Sequence, residues 1–325
     1  MEPLAFEPFL RPLVWGGRRL GELFGKPLPE GAVGESWEIS AHPQHVSRVA
    51  DGPLRGRALD DLCRNCAREL FGDHPLPDGS FPLLIKLLDC RDWLSVQVHP
   101  NDEIAARLLP GERGKTEAWV VLEAEPEARI YAGLTPGTTQ GKLESGIADG
   151  SVADCLHSFV PRVGDCLFLP AGTVHAVGGG VVIAEVQQCS DATFRLFDWK
   201  RVGLDGKPRP LHIREALESI DWRQGPVTPV TPVTTVKGTE IGPCGERLVR
   251  CPYFGLDRYF LEEAMELPAR DELSIWMVIE GCARLLSVNG HESRCRRGDT
   301  IMLPATASRC RWEPAPKATM LRIAL

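Results

Sequence analysis

Five short segments of this 325-residue chain carry side chains able to bind a metal ion or move protons. In LSVQVH (94–99) polar and apolar residues alternate strictly. A strand there sets Ser95, Gln97 and His99 on one face and Leu94, Val96 and Val98 on the other. The same alternation groups Lys115, Glu117 and Trp119. Glu185 and Gln187 follow in VVIAEVQ, and Arg195 in SDATFRLF. His175 ends a run from Gly164 spaced G-x5-P-x-G-x2-H, whose glycines and proline set a turn just before it. Singly, each has a plainer reading. A lone histidine is more often structural, a polar strand face is as readily wet, and the plainer reading of Arg195 is half of an ion pair. Together they argue for a pocket. Several strands pointing polar groups at one interior bury charge, and buried charge needs a partner or a metal. A metal centre is the economical explanation. Lys86 interrupts the apolar run 82–88, where an unpaired lysine is costly; the alternative is a strand edge with the ammonium reaching water.

The elements that must position these residues are mostly strands. The chain holds 32 glycines and 27 prolines, and the segments between them are short and rich in alternating or β-prone residues. That pattern predicts a mainly β fold, a sandwich or barrel. Helical spacing is confined to residues near 57–71, 101–109 and 211–220. Cys63 and Cys66 form a CxxC inside the first of these helices. A zinc site needs about four ligands and no second pair stands nearby, so they read as structural thiols.

A repeat divides the chain. Gly164-Asp-Cys-Leu-Phe-Leu-Pro-Ala recurs from Gly298 as Gly-Asp-Thr-Ile-Met-Leu-Pro-Ala, and Trp119-Val-Val-Leu-Glu recurs from Trp276 as Trp-Met-Val-Ile-Glu. Two elements in the same order argue for two copies of one β-domain. The second copy lacks the ligand-type residues: Arg309 stands where His175 would, and Ser274 where Glu117 would. Between the copies, 224–239 (QGPVTPVTPVTTVKGT) has three prolines at three-residue spacing, which excludes a helix and a central strand. It reads as a connector, giving domains of 1–230 and 231–325, or as an edge segment of one continuous fold.

Composition excludes several classes. A net charge of −7 recruits neither nucleic acid nor anionic membrane. No apolar run approaches the roughly 20 residues of a membrane span, and MEPLAFEPFL has no basic start like that of a signal peptide. A cytoplasmic protein is expected, with its eleven cysteines as free thiols.

The spacing from Gly164 to His175 resembles the second motif of the cupin superfamily, in which that histidine binds a metal on an inward-facing strand. LLIKLLD, LSVQVHPND, GKTEAW, LPAGTVHA and EVQQCSDATFR together resemble type I mannose-6-phosphate isomerase, in its short bacterial form; VWGGRRL and GESWEIS also fit. The resemblance implies two jelly-roll-like cupin barrels, the second degenerate, with a few added helices. It implies one zinc per chain on Gln97, His99, Glu117 and His175. Arg195, Lys115 and Glu185 match active-site positions, and Ser95 and Lys86 match positions at the phosphate end of the pocket. The implied reaction interconverts mannose 6-phosphate and fructose 6-phosphate through a cis-enediol, in a monomer or small homo-oligomer. Alternatives are an isomerase of another sugar or sugar phosphate, or a sugar-sensing cupin without catalysis. The long enzymes carry a tyrosine two residues after the last histidine ligand; this chain has Val177 there.

Overall fold

A computed structural model describes residues 1–74, 76, 78–234, 244–269 and 271–325. The chain is mainly β, in three antiparallel sheets. Two of them face each other in the first barrel. The larger holds Leu83–Cys90, Val181–Gln188 and Glu117–Ala124 as central neighbours, and the smaller holds Phe194–Phe197, Val96–Val98 and His175–Val177 side by side. The third sheet builds the second barrel around the long strands Ser274–Ser287 and Cys310–Ala324, which pair along their whole length through two irregularities. Such bulges let one sheet curl.

The three central strands of the larger sheet are almost entirely buried, which is why they read as continuous apolar runs. Their alternation still sorts the two faces. Leu83, Ile85, Leu87, Ala118, Val120, Leu122, Val182, Ala184 and Val186 join one core with Leu256, Ile275, Met277 and Leu321 of the second barrel. The barrels therefore pack back to back on a shared core. The opposite face supplies Leu88, Cys90, Trp119, Val121, Val181 and Ile183 to a core inside the first barrel. At one end of that face the apolar residues give way to Lys86, Glu117, Glu185 and Gln187.

Several local expectations are refined. The helix near 57–71 is two, Leu59–Asn65 and Ala67–Phe71, because Cys66 between them leaves helical geometry with φ −132° and ψ 32°. Cys63 is buried and its thiol is pushed up to about 11 by burial, which makes it inert. The other two helices are Asp102–Leu108 and Ile213–Ser219. Two helices lacked a visible signal: Arg19–Phe24 and Gln140–Asp149, the latter capped by Thr139 and closed by Gly150 at φ 93°. The connector is extended as far as Thr234, and Val227 and Val230 donate backbone hydrogen bonds to Ala132 and Cys166 of the first barrel. Its remainder, 235–239, lies outside the described residues. Leu4–Ala5 pairs with Ile301 and Met302, so the chain's first strand sits in the last sheet. Among the described residues, no helix is long and apolar enough to cross a membrane.

Candidate metal centre and cleft

Two cross-strand rows build the site. In the larger sheet Trp37, Lys86, Glu185 and Trp119 stand opposite one another on four adjacent strands. In the smaller sheet Arg195, Gln97 and His175 do the same on three. Aligned residues on adjacent strands share a face, so each row presents its side chains together. Glu117 lies one row away, opposite Gln187 and Leu169. His99 follows directly on Val96–Val98.

The rows meet at a buried cluster of His99, Glu117 and His175, with one candidate ligand atom from each within 4.8 Å of the others. His99 Nε2 lies 3.4 Å from Glu117 Oε2, and His175 Nε2 lies 3.4 Å from Glu117 Oε1. The other ring nitrogens are engaged: His99 Nδ1 lies 2.8 Å from the carbonyl of Ala192, and His175 Nδ1 2.9 Å from that of Thr173. Nδ1–H donation to carbonyls leaves both Nε2 lone pairs facing the carboxylate, the orientation found in metal sites. Burial, then the Lys115 ammonium, lowers the pKa of His99; burial lowers that of His175 to about 3. Both are neutral imidazoles. Burial alone would raise the pKa of Glu117, yet Lys115 and His99 hold it well below the ordinary carboxylate range. Among the described residues the Lys115 ammonium meets Glu117 Oε2 at 2.9 Å, while Oε1 accepts no hydrogen bond. A buried carboxylate with one unpartnered oxygen, set between two aimed imidazoles, fits a divalent cation. Gln97 Nε2 stands 3.2 Å from His175 Nε2. Amide oxygen and nitrogen are interchangeable by a flip, so the head of Gln97 can offer an oxygen at the same place.

Beside this centre a cleft of about 220 Å³ is lined by Lys86, Ser95, Gln97, Lys115, Glu185 and Arg195 among others. All six were singled out from sequence. Lys115 Nζ lies 2.9 Å from Glu117 Oε2 and 3.0 Å from His99 Nε2. Burial works against its charge, but Glu117 and Glu185 hold its pKa above the ordinary value. Glu185 is pushed up by burial, against the Lys86 charge. Trp119 Nε1 donates to Glu185 Oε1 at 2.8 Å, and Glu185 Oε2 faces the Lys86 ammonium. Lys86 is fully buried, 3.3 Å from Glu185 Oε2 and 4.0 Å from Glu35 Oε2. Ser95 Oγ accepts from Arg195 Nε at 3.3 Å. Gln187 stays out of the cleft and donates to the carbonyls of Gln188 and Ser190. Val177 is buried in the apolar core of the barrel. The next residue must be glycine, because a Cβ on Gly178 would meet the Arg129 carbonyl at 2.5 Å.

Four charged lining residues were not singled out from the sequence: Arg11, Glu35, Asp191 and Arg209. Arg11 bridges Glu35 at 3.1 Å and Asp191 at 3.3 Å. Arg209 and Arg201 share the carboxylate of Asp198 near Arg195, and Arg201 also lies 3.7 Å from Asp92. Only Glu35 could have been read, from its alternation with Trp37 in GESWEIS; the others sit in segments without a period.

Fold and site together define a two-barrel cupin whose candidate metal centre, among the described residues, lies in the first barrel. The family model "Phosphomannose isomerase type I, catalytic domain" matches residues 5–128. The chain is 36% identical over 304 residues to mannose-6-phosphate isomerase ManA of Bacillus subtilis, covering 93% of both. It is 36% identical over 305 residues to a Streptococcus mutans mannose-6-phosphate isomerase, covering 94% of this chain and 93% of that one. The crystal structure of a Bacillus subtilis mannose 6-phosphate isomerase superposes over 100% of both chains with a TM-score of 0.90 at 31% identity. The chain belongs to the type I phosphomannose isomerase family.

Proposed function

We propose that the chain is a zinc-dependent aldose–ketose isomerase that interconverts mannose 6-phosphate and fructose 6-phosphate through a cis-enediol. One observation carries this reading: a His99–Glu117–His175 cluster touches Gln97 and Lys115, which line one cleft together with the buried Glu185 carboxylate and the Arg195 guanidinium. The names of the relatives support the substrate. His99, Glu117 and His175 would hold the zinc, with Gln97 as a neutral fourth ligand. When bound, the ion supplies Lewis acidity to the carbonyl and hydroxyl oxygens of the substrate.

The protein's own groups divide the remaining work. The substrate hydrogen on C2 leaves as a proton and returns to C1, while the hydroxyl proton passes from O2 to O1. Glu185 suits the carbon-bound proton: burial raises its pKa above the ordinary carboxylate value, Trp119 fixes one oxygen, and the other faces the Lys86 ammonium at 3.3 Å in the lining of the cleft. Lys115, held protonated, suits a cation or proton donor beside the metal. Arg195 stabilises the developing enediolate charge. Ser95 beside Arg195 and Arg209 makes a cationic end suited to a phosphate dianion. Lys86 is already paired with Glu185 and would serve that phosphate only as a shared cation. Residues 1–230 would carry the site and 231–325 form a non-catalytic cupin in a cytoplasmic enzyme.

A coupled assay for fructose 6-phosphate formation tests the proposal. Activity should vanish on metal stripping and return with zinc. Full turnover by demetallated protein, or none with zinc restored, would count against it.

A further inference from the structure

A hairpin tip of the C-terminal sheet, between strands Gly245–Arg250 and Gly255–Leu261, reaches over the first barrel. There the Tyr253 hydroxyl donates to Asp102 Oδ2 at 2.7 Å. Asp102 is three residues past His99. Its other oxygen, Oδ1, accepts from Gly114 N at 2.9 Å and from Gln188 Nε2 at 3.0 Å. Gly114 directly precedes Lys115. Gln188 continues the bracket, since its Oε1 accepts from Thr116 N at 2.9 Å. Lys115 N in turn donates to the Pro100 carbonyl at 3.0 Å. The two loops lie so close that a Cβ on Gly114 would stand 2.5 Å from Asp102 N.

One carboxylate thus ties together the segment leaving His99 and the segment entering Lys115 and Glu117. We propose that Tyr253 is a positioning residue: by pinning Asp102 it fixes both segments, and the C-terminal barrel thereby holds the metal centre in register. The inference rests on the metal reading given above. It assigns the second barrel a part in the site although that barrel lacks the ligand residues. Outer partners that orient ligands commonly change metal affinity by about ten- to a hundredfold. Tyr253 stands further out and leaves Asp102 two donors, so a smaller effect, roughly three- to tenfold, is expected.

The test uses the full chain with Tyr253→Phe, which removes one hydroxyl at a half-buried position. Zinc affinity is measured by competition with a chromophoric chelator. Amide hydrogen exchange is followed at Gly114 and Thr116, and kcat and KM on mannose 6-phosphate are measured alongside thermal unfolding. The expected result is roughly three- to tenfold weaker zinc binding, faster exchange at both amides, kcat lowered in step, and KM and Tm nearly unchanged. In an Asp102→Ala background, Tyr253→Phe should add nothing, because the two residues act as one unit. Unchanged zinc binding and exchange, or effects that add to those of Asp102→Ala, overturn the proposal. A wild-type chain that binds no zinc overturns the metal reading instead, and exchange at Gly114 and Thr116 then still decides whether Tyr253 holds the loops.

Discussion

Lys86 and Glu185 stand directly opposite each other on neighbouring strands, and their charged heads meet at 3.3 Å with both side chains fully buried. The pair is flanked by two tryptophans. The Lys86 ammonium lies 5.4 Å from the centre of the Trp37 ring, and Trp119 donates its indole N–H to Glu185. Cation–π contact and ion pairing together make a buried lysine tolerable.

Lys86→Met therefore acts first on Glu185. Burial already raises the Glu185 pKa, and Lys86 is the cation that holds it down most. Without Lys86 the carboxyl protonates more readily, so the acid limb of kcat should move to higher pH. Comparing mannose 6-phosphate with free mannose separates the two roles. A loss confined to the phosphorylated sugar marks Lys86 as a phosphate cation; equal losses on both, with the shifted limb, mark it as the partner of Glu185.

Arg195→Ala should lower kcat by roughly two orders of magnitude, as expected of a group acting on developing charge. Zinc content and folding should survive. Steady-state kinetics giving a normal kcat with only a raised KM would reduce Arg195 to a binding residue.

Elemental analysis should find one zinc per chain. His175 and Glu117 of the first barrel are answered in the second by Arg309 and Ser274, neither of which suits a divalent cation. His175→Ala should then abolish tight binding altogether. Two tightly held ions in the wild type would contradict a degenerate second barrel.

The metal-free protein should be acid-labile through His175. Its pKa is about 3 when folded and 6.5 for an ordinary histidine, so between those values the unfolded chain binds the extra proton. Stability then rises with pH across that window and is lost progressively below about 6.5. Denaturant unfolding at several pH values should show this slope in the metal-free wild type and a slope smaller by roughly one proton in His175→Gln. Equal slopes in the two proteins would show that His175 is not held neutral by burial.

The sequence by itself determined which residues could do chemistry and which face they would share. Period-two alternation is local, so Ser95, Gln97 and His99, or Lys115 and Glu117, could be grouped without any fold. The repeat was legible for the same reason, as were the missing ligands in its second copy. The tertiary structure alone decided register. Lys86 meets Glu185, and Gln97 stands between His175 and Arg195, because strands far apart in the chain align in one particular way; alternation says nothing about that offset. The same holds for Arg11, Asp191 and Arg209, which reach the cleft from segments with no periodic signal. It holds as well for Leu4–Ala5 and Tyr253, which join the two barrels across long separations. A helix or strand preference is set by neighbouring residues, whereas these contacts depend on how complete sheets pack on a shared core.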